Sequence, residues 1–362
     1  QGIVALAFWL GSLFAEQIRA VHKSYPFIEI IGEPGAGKST LIEFLWKLFG
    51  RDQEGVDPNK STAAARARIF AQLSNMPVVL IESDRGEDTA KQKQFDWDEL
   101  KTAYNGRSVR ARGMKNSGNE TYEPPFRGSI VISQNAEVMA SEAILQRIVH
   151  CKFTRAEHNA DTKKLAEALE RTPIKDVSHF LIEALTKEKS IVDTVLARTP
   201  VYEDKIMAMD EVKSVRIGKN HAQMMALIEA LDSVVPLPEG AGKAAIVEIS
   251  EMAKARQKAI SADHPVVAQF WEVYDYLNED HTNTPRLNHS KKPDETIAIN
   301  IPHFIKVATE HRQQVPDTAD LKRHLKSCKT RKFLGQKAVD SKIDPRTVKC
   351  WVFEREGAKR TG

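Results

Sequence analysis

The sequence predicts an α/β protein, with a three-layer core around a parallel sheet, a helical region after it, and a C-terminal domain of winged-helix type. Three observations carry this. Short, largely apolar runs ("FIEII", "VVLIES" and "GSIVISQN") alternate with stretches of helical period, the pattern of buried parallel strands joined by helices. The first of these runs leads straight into the glycine-rich "GEPGAGKST". Residues 321–362 hold 13 Lys and Arg against 4 Asp and Glu, although the whole 362-residue chain has a net charge of only +4. A hydrophobic share of 41% and a charged share of 28% are ordinary for a globular chain of two or three domains.

Taken in order, residues 3–23 predict one helix. Its apolar part, "GIVALAFWLGSLFA", spans 14 residues, short of the roughly 18–20 that cross a bilayer, and no basic segment precedes it. It is therefore expected to be a buried helix, in a protein with no membrane partner. The strand "FIEII" follows, then the glycine-rich turn and the helix "STLIEFLWKLFG", a helix over residues 63–73, and the strands "PVVLIES" and "FRGSIVISQN". A polar, charged segment (residues 85–125) separates the last two. From residue 157 to 262 the period is helical, in "TKKLAEALERT", "VSHFLIEALTKE", "KNHAQMMALIEAL" and "AIVEISEMAKARQKAI". The final unit runs helix, strand "IAINI", helix, helix "TADLKRHLKSC" capped by Asp317 or Thr318, and two strands. The expected divisions are a helical lead (1–24), a core (25–156), a helical subdomain (157–262) and a basic domain (263–362). Cys151, Cys328 and Cys350 lie far apart with no CxxC pair, which argues against zinc or a disulfide scaffold and for a reducing, cytoplasmic setting. A start at Gln1 rather than Met is what a piece of a longer chain would show.

"GEPGAGKST" fits G-x-x-x-x-G-K-[ST], with Gly32, Gly37, Lys38 and Ser39 at the fixed positions. Because it follows a strand and opens a helix, it predicts a nucleoside triphosphate site. The backbone of Gly32, Pro34, Gly35, Ala36 and Gly37 would curl around phosphate oxygens, Lys38 would reach the outer phosphates, and Thr40 would flank them. Ser39 would give its hydroxyl to magnesium. The strand "VVLIESD" ends in Glu82 and Asp84, which alternation can place on one face with Ser83 turned away. Glu82 holds the position beside magnesium. Either Asp84 prepares the attacking water, or Glu82 is itself the base and Ser39 binds the metal with water alone; Asp84 can also be a solvated loop acid next to Arg85. Asn135, at the carboxyl edge of its strand, can orient that water or can be an ordinary turn residue. Arg147, in "EAILQRIVHCKF", can stabilise a transferring phosphoryl group or form a surface salt bridge. Arg216 and Lys219 stand near a helix start from which they can reach nucleotide, or belong to a plain surface helix.

The succession "LKTAYNGRSVRARGMKN", "FRGSIVISQNAEV" and "EAILQRIVHCKF" resembles the ATPase core of superfamily 3 helicases, an AAA+-like P-loop family, and most of all the primase–helicases of phages, plasmids and large DNA viruses. Lys101, Asn105, Gly106, Arg110 and Arg112 match its lysine, turn and basic run, Asn135 its Asn-ended strand, and Arg147 its helix-borne arginine finger. The likeness covers roughly residues 25–155. The family's Gly-Gly-Asp turn is Asn105-Gly106-Arg107 here, and its paired acids are separated by Ser83.

The resemblance implies ATP and Mg2+ as cofactors, a hexameric ring with Arg147 completing the neighbouring site, and single-stranded and forked DNA as partners. An upstream primase domain or partner is also implied. Arg107, Arg110, Arg112 and Lys115 would form a hairpin that meets a single strand in the pore. In the basic tail, Lys322, Arg323, Lys326, Lys329, Arg331 and Lys332 would contact phosphates, or else the module packs on the ring or on a partner. An ATP-controlled DNA-binding switch without unwinding is the alternative. A small-substrate kinase is disfavoured, because the basic hairpin and tail would have no purpose in it.

Overall fold

The computed structural model describes residues 1–52, 55–81, 95–113, 119–156, 158–278 and 287–355, with Arg112 described by its backbone alone. Contacts divide the chain into two compact units, Gln1–Lys258 and Ala259–Gly362.

The first unit opens with α1 (Gly2–Ser12) and α2 (Ala15–His22), two helices bent by 84° where one was expected. The break is local. Leu13 N and Phe14 N bond back three residues, to the carbonyls of Leu10 and Gly11, and so tighten and end the first helix. Among the described residues no single helix is long and apolar enough to cross a membrane. Val4, Phe8, Trp9 and Leu10 are instead fully buried, with the Trp9 ring edge-on to Trp46 at 5.5 Å.

Next come β1 (Phe27–Gly32), α3 (Lys38–Leu48), α4 (Ala63–Gln72), β2 (Ser74–Ile81), a 3-10 helix (Trp97–Asn105), and the short strands β3 (Arg112–Gly113) and β4 (Thr121–Tyr122). They are followed by β5 (Arg127–Gln134), α5 (Glu142–Leu145) and β6 (Ile148–Phe153). The main sheet has the order β2-β5-β1-β6, all parallel, with the phosphate-loop strand inside. One face (Phe27, Val78, Leu80, Ile130, Ile132, Ile148) packs on Phe70 of α4, Leu100, Ala103 and Tyr104 of the 3-10 helix, and Ile144 of α5. The opposite face meets α1, where Ser129 Oγ donates to Ser12 Oγ at 2.6 Å. These are the three expected layers.

β6 corrects one expectation. "EAILQRIVHCKF" is not a helix carrying Arg147. It is four helical residues, a turn at Gln146 and Arg147, and then an edge strand. The β-branched Ile148 and Val149, with buried Cys151, suit a strand paired along β1.

The helical region comprises α6 (Ala160–Arg171), α7 (Ile174–Val177), α8 (His179–Thr186), α9 (Glu188–Met207), α10 (Val215–Leu231) and α11 (Ala241–Ser261). α9 carries Pro200 within its 20 residues, which hid it from a reading of the sequence. α10 is buried along almost its whole length.

The second unit contains α12 (Pro265–Asn278), β7 (Thr296–Ile299), α13 (Ile301–Glu310), α14 (Thr318–His324), β8 (Phe333–Asp340) and β9 (Thr347–Glu354). Its antiparallel sheet has the order β7-β9-β8. Asp317 is the cap of α14, its Oδ1 accepting from Ala319 N and Asp320 N at 3.0 and 2.9 Å. Phe270, Phe304, Leu321, Leu325 and Phe353 form its core.

His221 on α10 gives a pH prediction. Its Nδ1 donates to the Ile217 carbonyl at 2.8 Å, and its Nε2 is buried without a partner among the described residues. A second proton would have to enter that dry site, so burial pushes the imidazole down to about 4. The unfolded residue takes up its proton near the ordinary value of 6.5, so the folded state loses stability as pH falls from 6.5 toward 4. The loss attributable to this group is at most about 3 kcal/mol. Urea midpoints of the full chain should fall across this window, and less steeply in His221→Leu.

Candidate nucleotide-binding site and basic surfaces

The phosphate loop lies where β1 ends at the carboxyl edge of the sheet and α3 begins. Gly32 has φ +157, and a Cβ there would collide with the Phe153 carbonyl of β6, so only glycine lets the loop leave between the strands. Gly37, at φ +88, is the N-cap of α3. Lys38 is 8% exposed, and its Nζ donates to the carbonyls of Gly32 (2.6 Å) and Glu33 (3.1 Å) and to Asn135 Oδ1 (3.1 Å). Lys38 and Asn135, 97 residues apart, are thus brought together because β5 runs beside β1 in parallel.

A cavity of about 520 Å³ opens beside this loop. Gly35, Gly37, Lys38, Ser39 and Thr40 line one side, and Asn159, Thr162, Lys163 and Ala166 of the first turns of α6 the other. The α6 side is fixed by a capping box, in which Asn159 Oδ1 accepts from Thr162 N and Thr162 Oγ1 accepts from Asn159 N. Lys47 of α3 donates to the carbonyls of Leu169 and Glu170, and Thr40 Oγ1 to Glu170 Oε1 at 3.0 Å, tying α6 to the phosphate-loop helix. Pro34 and Ala36 complete the loop, the latter buried. Backbone amides, a lysine and an open hydroxyl fit a polyphosphate with its magnesium. Glu82 and Asp84 lie outside the described residues. Among the described residues no cluster of three or more His, Cys, Asp or Glu could hold a metal by itself.

Arg155, two residues past β6, was missed by the sequence reading. Its guanidinium donates to the Pro34 carbonyl and approaches Glu33 at 3.8 Å, and its backbone N donates to Glu33 Oε1 at 3.2 Å. The signal was available in principle, as a basic residue just beyond a strand of the sheet that carries the motif. It was lost because that strand was taken for a helix.

Arg147 is placed elsewhere. It lies half-buried with its guanidinium over the Tyr104 ring at 5.0 Å, donating to the Ala143 carbonyl, and burial beside Arg216 lowers its pKa. Arg216 donates to Gln146 Oε1 at 2.9 Å and Lys219 to the His22 carbonyl at 2.6 Å. Lys101 pairs with Asp98 at 2.8 Å; burial opposes ionisation there, but Lys101 and the Ser141 hydroxyl hold the Asp98 carboxyl below its usual value.

The basic hairpin begins at the turn formed by Asn105 and Gly106. Gly106 has φ +75 against Arg19 Cδ, a conformation that favours glycine, and Asn105 Nδ2 donates to the Lys23 carbonyl at 2.7 Å. Arg107 and Arg110 are exposed, and Arg112 pairs with Tyr122 across the antiparallel β3–β4 ladder. Lys115 lies outside the described residues.

In the second unit Lys322, Arg323, Lys326 and Lys332 are exposed. Two of the expected phosphate-contacting residues also make contacts within this unit. Arg331 donates from Nη2 to both carboxylate oxygens of Asp275 (2.8 and 2.7 Å) while stacked on Trp271 at 4.1 Å. Lys329 donates from its backbone to Asp263 Oδ1 at 2.5 Å and from Nζ to the Ile260 carbonyl. Sequence spacing cannot tell a solvated arginine from one folded back over an aromatic ring. The β8–β9 hairpin also exposes Lys337, Lys342, Arg346 and Lys349, which the sequence reading did not single out.

No family model matches this sequence, and no curated protein matches it. Among solved structures, the active helicase Cch of SCCmec type IV superposes with a TM-score of 0.55 at 13% identity, covering 98% of this chain and 66% of that one. The chain therefore spans just under two thirds of that helicase and shares its fold. Two structures of JCV helicase align over 74% and 76% of this chain and 63% of theirs, with TM-scores of 0.27 and 0.26 at 13% and 12% identity.

Arg331→Ala should lower the unfolding midpoint of the second unit, at a cost of about 1–2 kcal/mol after allowance for the exposure of Asp275. Lys332→Ala should change it by less than about 0.5 kcal/mol. Thermal unfolding followed by tryptophan fluorescence distinguishes the two.

Proposed function

We propose that this chain is the motor portion of a DNA helicase that hydrolyses ATP with magnesium, assembles as a ring, and serves the replication of a phage or other mobile element. One observation carries the reading. A glycine-rich loop at the carboxyl edge of a parallel sheet holds Lys38 against Asn135 from the neighbouring strand, beside a cavity large enough for a nucleotide. The fold shared with one helicase structure supports it. In this reading the phosphates rest on the amides of the loop and on Lys38, and the nucleoside extends past Thr40 toward the first turns of α6. Magnesium would be held by the Ser39 hydroxyl and Glu82, and its charge would offset that of the transferring phosphoryl group. Asn135 would place the attacking water, with Glu82 or Asp84 as base.

Arg147 would complete the site of the next subunit in a hexameric ring. Arg107, Arg110, Arg112 and Lys115 would meet single-stranded DNA, with the second unit acting as a winged-helix domain on forked DNA through Lys322, Arg323, Lys326 and Lys332. A primase domain or partner would complete the replication machine. Net basic charge on exposed elements favours this over a kinase of small molecules.

Hydrolysis by the full chain should rise when single-stranded DNA is added, and Lys38→Ala should lower it by at least about a hundredfold. The wild type should also displace one strand of a forked duplex. ATP hydrolysis that DNA stimulates without any strand displacement would instead establish the ATP-controlled switch. For the second unit, removing Lys322 and Lys326 should flatten the dependence of log affinity on log salt by about one unit per lost phosphate contact. This is measured by fluorescence anisotropy of a labelled DNA fork.

A further inference from the structure

The central strand carries a charge that neither the phosphate loop nor the hydrophobic core explains. Glu29 lies in the middle of β1 with no exposed surface. Along its face of the sheet, Phe27, Ile132 and Ile148 give way to Glu29, Gln134 and His150 toward the carboxyl edge. The carboxylate is fully engaged. Oε1 accepts from Gln134 Nε2 at 3.1 Å and from the backbone N of Val138 at 2.6 Å. Oε2 lies 2.8 Å from His150 Nδ1 and accepts from Arg256 Nη2 of α11 at 3.3 Å, with Arg256 itself 5% exposed. His150 Nε2 is in turn 3.5 Å from Glu137.

Gln134 and Val138 are the two ends of the segment that carries Asn135. One carboxylate grips both ends, which leaves the intervening backbone few alternatives and so sets where the Asn135 amide meets Lys38. The same carboxylate receives Arg256, so a displacement of α11 is passed to this segment through a single buried group. An apolar side chain in a buried strand would be at least as stabilising as this ionic cluster, so stability alone gives no reason for the charge.

We infer that Glu29 is a positioning residue of the nucleotide site, fixing Asn135 against Lys38 and joining that contact to α11 through Arg256. The inference rests on the reading of this loop as an ATP-hydrolysing site. A residue that acts through Asn135 must lose its effect when Asn135 is gone, whereas a merely structural residue must not.

The test is a double-mutant cycle on the full chain, with kcat, KM for ATP and the dissociation constant of a fluorescent ATP analogue as readouts. Asn135→Ala should lower kcat about a hundredfold, and Glu29→Gln about tenfold, each with nucleotide affinity within about threefold of wild type. In the Asn135→Ala background, Glu29→Gln should change kcat by less than about twofold. Should Glu29→Gln fail to fold, Gln134→Leu takes its place, since it releases one end of the segment while the buried charges stay paired. Its loss of kcat, about threefold or more, should likewise vanish beside Asn135→Ala. Effects that multiply in the double variant, or a loss of nucleotide affinity as large as the loss of kcat, would overturn the inference. So would an Asn135→Ala variant of undiminished kcat, with the ATPase reading left intact. A wild-type chain that binds nucleotide but does not hydrolyse it would remove the ATPase reading itself, and this inference with it.

Discussion

A carboxylate without access to water has to find hydrogen-bond donors inside the protein, and the donors Glu29 finds come from four structural elements. Gln134 ends β5, Val138 follows it in the loop, His150 stands on β6 and Arg256 on α11. Burial opposes the charge, but these partners outweigh it and hold the Glu29 carboxyl below its usual range. Two strands, a loop and a helix of the helical region are therefore constrained together at the edge of the sheet where the phosphate loop emerges. The geometry of Lys38 and Asn135 depends on that constraint, because Asn135 sits inside the clamped segment.

The surrounding packing gives the constraint a rigid base. α1 is apolar along its buried side except at Ser12 and lies against one face of the sheet, while the 3-10 helix and α4 cover the other. A strand held from both faces and by two parallel neighbours has little freedom to shift along its axis. The loop after β1 inherits that immobility, and a site that must position phosphates to within fractions of an ångström needs it. Tyr104 extends the order further. It stacks under Arg147, donates from its hydroxyl to Asn220 at 2.7 Å, and immediately precedes the turn that starts the basic hairpin.

Much of this was legible in the chain. The phosphate loop, the apolar strands on either side of it and the Asp317-capped helix all declare themselves through short-range rules of period, glycine placement and capping. What failed, failed for identifiable reasons. β6 was taken for a helix because its apolar residues directly follow a short helical turn. α9 was overlooked because of Pro200. Arg331, Lys329, Arg216 and Lys219 looked like free cations, yet each is folded onto a neighbour that only the tertiary structure supplies. Glu29 was visible in "FIEII" as a charge within an apolar run and went unused, because nothing nearby in sequence offers it a partner.

Local sequence rules define the strand–loop–helix that can hold a triphosphate, the alternation that makes a parallel sheet, and the concentration of basic charge toward the C-terminus. These depend on residues a few positions apart, where local geometry leaves little choice. Long-range packing sets which strand lies beside which, and hence that Asn135 meets Lys38, that Arg155 lies on the phosphate loop, and that Glu29 reaches Arg256 from 227 residues away. Strand order and side-chain partnership are set by packing of the whole chain, and a single sequence does not record distances through space.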